Sequence, residues 1–94
     1  MAQTSKVRGV STTIMTKDGQ TEVIYHGTPV VTFDGHSVTL QARGWLTATT
    51  KLRMNQAARQ FGLRFAVFQK DFDWYVGRPD GEVVPYREGI SFNY

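Results

Sequence analysis

The 94-residue sequence contains no cysteine and only three prolines. The absence of cysteine excludes a disulfide scaffold, thiolate metal sites, iron–sulfur clusters and cysteine nucleophiles. Long uncharged runs are also missing, because the longest stretch free of Asp, Glu, Lys and Arg extends only from Val23 to Phe33. A membrane helix needs roughly 20 apolar residues, and the first residues lack the apolar core of a signal peptide. We therefore expect a soluble protein that has no membrane partner and is not secreted.

Acidic residues are missing from the middle of the chain. No Asp or Glu occurs between Gly35 and Lys70, where six cations are found: Arg43, Lys51, Arg53, Arg59, Arg64 and Lys70. All eight acids lie in the other segments, and the formal net charge is +3. Such an uneven distribution in a small domain can attract phosphate or an acidic partner. The alternative is that a basic helix faces the acidic hairpins of its own fold.

Signatures of catalysis are absent as well. The sequence has no Gly-x-Gly-x-x-Gly, no phosphate-binding loop ending in Gly-Lys-Ser or Gly-Lys-Thr, no Gly-x-Ser-x-Gly and no His-Glu-x-x-His. Asp34 and His36 could offer two metal ligands, but no neighbouring residue clearly supplies a third. We predict a protein that is not an enzyme and that holds no metal and no cofactor.

What is present is the composition of one globular domain, covering residues 1–94 with residues 1–6 disordered. Hydrophobic residues make up 40% of the chain and aromatic residues 13%, which is ordinary for a folded protein. Three Asp-Gly pairs, which favour type I′ hairpin turns, are each flanked by residues typical of strands: Asp18-Gly19, Asp34-Gly35 and Asp80-Gly81. They predict strands within Val7 to Thr16, Thr21 to Phe33 and His36 to Ala42. Gly27-Thr28-Pro29 indicates a bulge or bend at an edge within the second of these.

The hydrophobic period then changes to that of a helix. Met54, Ala57, Ala58 and Phe61 follow the i, i+3, i+4, i+7 pattern, which predicts an apolar stripe about 100° wide on a helix from Thr47 to Phe61. Thr47, Thr49 or Thr50 could cap its start, and Gly62 suits its end. Further strands are predicted within Arg64 to Lys70, Phe72 to Val76, near Val83 and within Ile90 to Phe92. The fold class is α+β: an antiparallel sheet of five to six strands with one helix packed on one face, in the order β-β-β-α-β-β with further short strands.

The polar side of this helix is the strongest candidate for a functional site. At 100° per residue, Lys51, Asn55 and Arg59 share one face beside the apolar stripe. The helix N-terminus adds free N–H groups that favour an anion. The predicted phosphate-binding or nucleic-acid-binding residues are Lys51, Arg53, Asn55, Gln56, Arg59, Arg64, Thr49 and Thr50. The cations would contact phosphates while Asn55 and Gln56 read a base or ribose; the alternative is a solvated helix face.

Aromatic residues concentrate in the last third of the chain. On alternating strands some of their rings must face outward, where rings beside cations can stack on bases. The candidates are Trp45, Trp74 and Tyr75. The alternative is that most of these rings form the core and that Trp45 covers the junction between sheet and helix.

One part of the sequence resembles a known group of proteins. The segment Thr49-Thr50-Lys51-Leu52-Arg53-Met54-Asn55-Gln56, together with Phe33 to Leu40 before it and Val67 to Lys70 after it, is similar to a small protein family encoded by tailed bacteriophages. The resemblance covers most of residues 22 to 76. It implies a phage accessory protein of the host cytoplasm that binds nucleic acid or disables a host enzyme or defence signal. Members of that family have Gly where this chain has Arg64.

These observations support two functional hypotheses. The first is a phage protein that binds DNA or RNA through the basic helix face and the adjacent sheet, mainly by phosphate contacts. The second is an anti-defence protein that captures a nucleotide signal or blocks a host protein through an exposed apolar patch. The nucleotide pocket would lie at the helix N-terminus or a dimer interface, with the turn from Thr47 to Lys51 on the phosphate and an aromatic ring on the base. We also expect a homodimer, formed through edge strands near Thr28 to Phe33 and at the aromatic C-terminus.

Overall fold

The computed structural model describes residues 12–94, so the predicted disorder of residues 1–6 and the first part of the predicted first strand lie outside the described residues. Four strands precede the helix and four follow it. The elements are β1 (Thr12–Lys17), β2 (Gln20–Tyr25), β3 (Thr28–Phe33), β4 (Ser37–Leu40), α1 (Ala48–Phe61), β5 (Ala66–Lys70), β6 (Asp73–Gly77), β7 (Val83–Pro85) and β8 (Ile90–Asn93). The predicted α+β class, with antiparallel strands and one packed helix, is confirmed.

The strands are divided between two antiparallel sheets. The larger sheet has the order β1-β2-β3-β4-β8, and the smaller one has the order β5-β6-β7. The last strand of the chain therefore joins the first sheet beside β4, with Val38 opposite Phe92. The segment Thr28 to Phe33 was predicted to be an edge, and this was wrong, because β3 lies between β2 and β4. The homodimer remains a prediction.

Tight two-residue turns set the register of the first strands. Asp18 and Gly19 both have positive φ and connect Lys17 to its partner Gln20, as a type I′ hairpin requires. His26 and Gly27 form a second turn of this kind. The segment Thr21 to Phe33 is therefore two strands rather than one bent strand, and this adds one strand before the helix.

Two further details of the first hairpins differ from the sequence expectations. The bulge predicted near Pro29 lies beside it, because Val23 pairs with Val31 while Ile24 pairs with Pro29. The missing proline N–H thus falls where the ladder is already interrupted. The reversal at Asp34 is closed by its side chain, which accepts hydrogen bonds from the backbone N–H groups of His36 and Ser37 at 2.8 Å. These bonds lower the pKa of Asp34, the one from Ser37 most strongly.

The helix begins and ends as its sequence predicts. The hydroxyl of Thr47 accepts a hydrogen bond from the Thr50 N–H, and Gly62 adopts the left-handed conformation with φ 66°. Thr47 therefore satisfies one of the free N–H groups at the helix start, and Gly62 provides the turn that ends it. Among the described residues, no helix is long and apolar enough to span a membrane.

The core lies where the helix meets both sheets. α1 packs on β2 and β3 of the larger sheet and on β5 of the smaller one. Met54 and Ala57 are fully buried at this contact, and the Phe61 ring lies 4.8 Å from that of Phe33. Because two sheets cover the helix, its buried side is wider than the predicted stripe and includes three polar residues: Thr50, Arg53 and Gln56.

Candidate binding surface

The row Lys51, Asn55 and Arg59 does share one helix face, but most of that face meets β5 rather than solvent. Asn55 donates from Nδ2 to the Val67 carbonyl at 2.9 Å and accepts the Val67 N–H on Oδ1 at 2.8 Å. Its amide thus completes the hydrogen bonding of the outer edge of β5. An amide occupied in this way is not available to read a base.

Lys51 continues the same contact one turn earlier. Its Nζ donates to Gln69 Oε1 at 3.1 Å and lies 5.5 Å from the centre of the Trp74 ring. Arg59, one turn after Asn55, is exposed. Of the predicted row, therefore, only Arg59 extends freely into solvent.

Arg53 and Gln56 were predicted on the exposed arc, and this placement was wrong. Their exposed fractions are 9% and 3%. Arg53 donates from Nε to Thr12 Oγ1 at 3.0 Å and from Nη1 to Gln56 Oε1 at 3.3 Å. Its guanidinium also lies 5.7 Å from the centre of the Tyr25 ring. This buried cation is held by neutral acceptors and an aromatic face, so its role in the fold is structural.

The threonines at the helix start are also occupied by the fold. Thr50 is fully buried, and its hydroxyl lies 3.2 Å from that of Thr47. Thr49 is half-buried. The groove beside this end of the helix is lined by Leu46, Trp74 and Tyr86 but by no residue from Thr47 to Lys51. The structure does not bring the predicted phosphate turn and an aromatic ring together in a pocket.

The three aromatic candidates have different environments. Trp74 is 8% exposed and contacts the Tyr86 ring edge-on at 5.5 Å, so it belongs to the core. Trp45 is 51% exposed, and its ring stacks on His26 at 6.0 Å. Tyr75 is half-buried on the outer side of the smaller sheet, where it stacks on Phe68 at 5.8 Å.

Glu88 fixes the connection that carries Trp45 and Leu46. Its carboxylate accepts hydrogen bonds from the N–H groups of Ala42 and Arg43 and from the Tyr86 hydroxyl, all at 2.9 to 3.0 Å. Burial raises the pKa of Glu88, but these hydrogen bonds outweigh it and leave the pKa below its usual value. Burial, together with the bond to Glu88, raises the pKa of Tyr86 far above its usual range.

Several exposed apolar residues, including the most exposed one, Phe72, lie on the outer side of the smaller sheet. Alternation along β5 and β6 turns Val67, Trp74 and Val76 toward the core and leaves Phe68 and Tyr75 outside. Phe68 also covers Gly77, at 3.9 Å from where a Cβ would lie. We call this surface the aromatic face; it consists of Phe68, Phe72, Tyr75, Val83 and Pro85. Of these, the sequence interpretation had singled out only Tyr75 as a site residue.

Phe72 is the most prominent residue of the aromatic face. It is 93% exposed, and it occupies the second position of the two-residue turn between Lys70 and Asp73. Asp71 and Phe72 have φ values of 52° and 70°. A bulky side chain in the left-handed region costs about 1 to 2 kcal/mol, and glycine would avoid that cost. The fold therefore accepts local strain to hold an aromatic ring in solvent.

Two shallow grooves reach Tyr75. One, of about 430 Å³, extends around the end of the sheet from Phe72 and Pro85 to the side of Leu46 and Trp74 beside the helix start. The second, of about 450 Å³, is lined by Phe68, Lys70, Asp71, Tyr75 and Val83. The charges at their rims are mixed, since Lys70 is accompanied by Asp71 and Asp73. Apolar centres with a polar rim are typical of protein interfaces.

The remaining cations are mostly unpaired. Across residues 12–94, the ion pairs are those of Arg78 with Asp80 at 2.6 Å and with Glu82 at 3.6 Å. Arg64 is exposed, has a left-handed φ of 57°, and lines a groove of about 460 Å³ beside β8. In the same part of the chain, no group of three or more His, Asp or Glu side chains is arranged to hold a metal ion.

Comparison with known proteins agrees with the resemblance seen in the sequence. No curated protein and no solved structure matches the chain. A family model described as "Kyanoviridae Gp96 protein" matches residues 1–93. Since this match covers almost the whole chain, the protein belongs to the Kyanoviridae Gp96 family of bacteriophage proteins.

Proposed function

We propose that the protein is a non-enzymatic phage accessory protein that acts in the host cytoplasm by binding and blocking a host protein through the aromatic face. The observation that carries this proposal is Phe72, which is 93% exposed in a strained backbone conformation. Strain that the fold could avoid with a glycine is a feature of functional positions. An exposed apolar patch of this kind is one of the alternatives that the sequence left open.

The composition of the face supports a protein partner. Aromatic side chains at the centre of an interface supply most of the binding energy, whereas charged rims contribute mainly to specificity. Phe72 would insert into an apolar cleft, and Tyr75 and Phe68 would form the flat surface beside it. Asp71 and Asp73 flank Phe72 and favour a cleft with a basic rim. The same two carboxylates oppose a polyanion, since they outnumber the single cation Lys70 at this place.

The proposal can be tested with a photo-crosslinking amino acid placed at position 72 in phage-infected host cells. The matched control carries the same group at Gln20, an exposed residue beside the Asp18-Gly19 hairpin of the larger sheet. We expect one host protein to be crosslinked from position 72 and not from position 20. Its binding should then be reproduced with purified components.

The Phe72→Gly variant decides whether the ring itself binds. Loss of a central aromatic residue should weaken the purified complex by about 30-fold or more, equivalent to about 2 kcal/mol. Glycine is compatible with a positive φ, so the hairpin should remain intact. Crosslinks that are the same from positions 72 and 20, or an affinity unchanged by Phe72→Gly, would contradict the proposal.

Nucleic-acid binding remains a second candidate because several cations have no carboxylate within 4 Å among the described residues. Arg59 and Arg64 are both exposed, and each belongs to the set first predicted from the sequence. If they contact phosphates, the double variant Arg59→Ala/Arg64→Ala should make the slope of log affinity against log salt shallower by roughly 1.4 to 1.8. Lys17→Ala, on a distant hairpin, is the control. Wild-type protein that binds no oligonucleotide at low salt would exclude this candidate.

The helix segment that resembles a phage family is best explained by folding. Within Thr49 to Gln56, Thr50 and Met54 are buried in the core, Arg53 and Gln56 bond to each other, and Asn55 bonds to Val67 of β5. We infer that this segment attaches the helix to both sheets. Binding specificity would then reside in loops and strand faces outside it.

A further inference from the structure

We propose that the free edge of β8 is a second docking site, which takes up an extended, acidic segment of a partner protein as an added strand. β8 pairs on one side with β4 and, within residues 12–94, forms one of the two edges of the larger sheet. An edge strand has unpaired main-chain N–H and C=O groups on its outer side. A strand supplied by a partner would complete their hydrogen bonds. This site is separate from the aromatic face.

The backbone bonds show which groups are available at this edge. The Tyr94 N–H donates to the His36 carbonyl on the β4 side. On β4, the Ser37 carbonyl accepts a hydrogen bond from the Asp34 N–H and therefore points toward β3. The backbone groups of the next residue, Val38, point the other way, toward Phe92 of β8. Because orientation alternates along a strand, the N–H and C=O groups of Ser91 and Asn93 point away from the sheet.

These groups face a groove of suitable shape and charge. It measures about 460 Å³ and lies between Ser91 to Tyr94 on one side and the four residues Arg64, Arg78, Pro79 and Asp80 on the other. Arg78 is already matched by Asp80 and Glu82. Arg64 is exposed and forms no ion pair with any described carboxylate, so it is the charge that an added strand would meet. A carboxylate on that strand would complement it.

The edges of the smaller sheet are protected in ways that β8 is not. On the outer edge of β5, the backbone N–H and C=O of Val67 are bonded to the Asn55 amide, and β7 contains Pro85, which has no N–H to donate. The sequence of β8, Ile90-Ser91-Phe92-Asn93, contains neither proline nor a charged residue. It therefore lacks the usual features that prevent edge pairing.

The test uses short synthetic peptides of alternating Val and Thr with one central Asp, observed by amide NMR of the full chain. We expect shifts concentrated at Ser91 to Tyr94 and Arg64, and slower hydrogen exchange at Ser91 and Asn93. Replacing the Asp by Asn in the peptide, or Arg64→Gln in the protein, should weaken binding by about two- to fivefold, as expected for an exposed ion pair. The two changes together should weaken it no further.

Blocking the main chain gives the decisive comparison. A peptide N-methylated on its bonding edge should lose binding, and so should Asn93→Pro, whose missing N–H is not used within the sheet. Phe72→Gly should bind the peptide like the wild type, which separates this site from the aromatic face. Equal binding of the N-methylated peptide, shifts concentrated away from Ser91 to Tyr94 and Arg64, or displacement of the peptide by an oligonucleotide would each overturn the proposal.

Discussion

The two hydrogen bonds between Asn55 and Val67 make a prediction that separates a structural role from a binding role. Asn55→Leu keeps a side chain branched at Cγ and slightly favours the helix, but it leaves the Val67 N–H and C=O without their partner. Each lost bond is worth about 0.5 to 1.5 kcal/mol, and each partly buried group left unsatisfied adds about 1 kcal/mol. We expect a loss of about 3 to 5 kcal/mol, which would shift the urea midpoint by roughly 1.5 to 2.5 M.

Asn55→Asp should give a characteristic pH dependence. At neutral pH the carboxylate can accept the Val67 N–H, but it places a second oxygen against the Val67 carbonyl, which lies 2.9 Å from the present Nδ2. Protonation would restore a donor, so folding should raise the pKa of this Asp. A raised pKa adds stability below it, and the deficit relative to the wild type should therefore shrink as the pH falls toward 4.

The control for this series is Asn93→Asp at the other asparagine of the chain, which is exposed. Its stability should stay within about 0.5 kcal/mol of the wild type at every pH. If Asn55→Leu changes the midpoint no more than this control does, the amide does not hold β5, and the prediction that it reads a base becomes credible again. In a Trp45→Phe background, denaturation followed by the fluorescence of Trp74 would report on β6, which pairs with β5.

Three further predictions concern stability. Met54→Ala should lower the free energy of unfolding by about 2 to 5 kcal/mol because Met54 is fully buried. Phe61→Ala should lower it less because Phe61 is only half-buried. The reverse order in denaturant unfolding would contradict the assigned core. Glu88→Gln should lower the unfolding free energy by about 1 kcal/mol at pH 7, after allowing for screening. The folded state lowers the pKa of Glu88. The difference in unfolding free energy between this variant and the wild type should therefore vanish as the pH falls below the usual pKa of a Glu carboxyl. A difference independent of pH would show that the charge of Glu88 is unimportant. Phe72→Gly should leave the free energy of unfolding unchanged or raise it by up to about 1 kcal/mol, because relief of left-handed backbone strain offsets the added freedom of the unfolded chain. Thermal unfolding measures this effect, and a clearly lower midpoint would mean that the ring supports the fold.

Local sequence signals predicted the helix and its caps well. Thr47, Gly62 and the apolar positions Met54, Ala57 and Ala58 all act as expected, because these features depend on neighbouring residues alone. The Asp18-Gly19 hairpin was predictable for the same reason. The additional turn at His26-Gly27 was missed because its glycine was interpreted together with the proline that follows two residues later.

The candidate site was harder to predict because exposure depends on distant contacts. Arg53 and Gln56 look like solvent-facing residues on a helical wheel, yet the second sheet and β1 cover them. Asn55 looks like a base-reading residue until the edge of β5 is placed beside it. Phe72 carries no turn signature, and only the paired register of Lys70 with Asp73 shows that it occupies a strained position at the tip of a hairpin.

The position of β8 beside β4 affects how the chain can fold during synthesis. Leu40 pairs with Ile90, about 50 residues later. At 5 to 20 residues per second, a ribosome needs roughly 3 to 10 s to add them. The first hairpins can form within microseconds of emerging. For the remaining seconds, Val38 and Leu40 would present an incomplete sheet to the cytoplasm, where a chaperone, or the same edge of a neighbouring nascent chain, could bind before β8 is made.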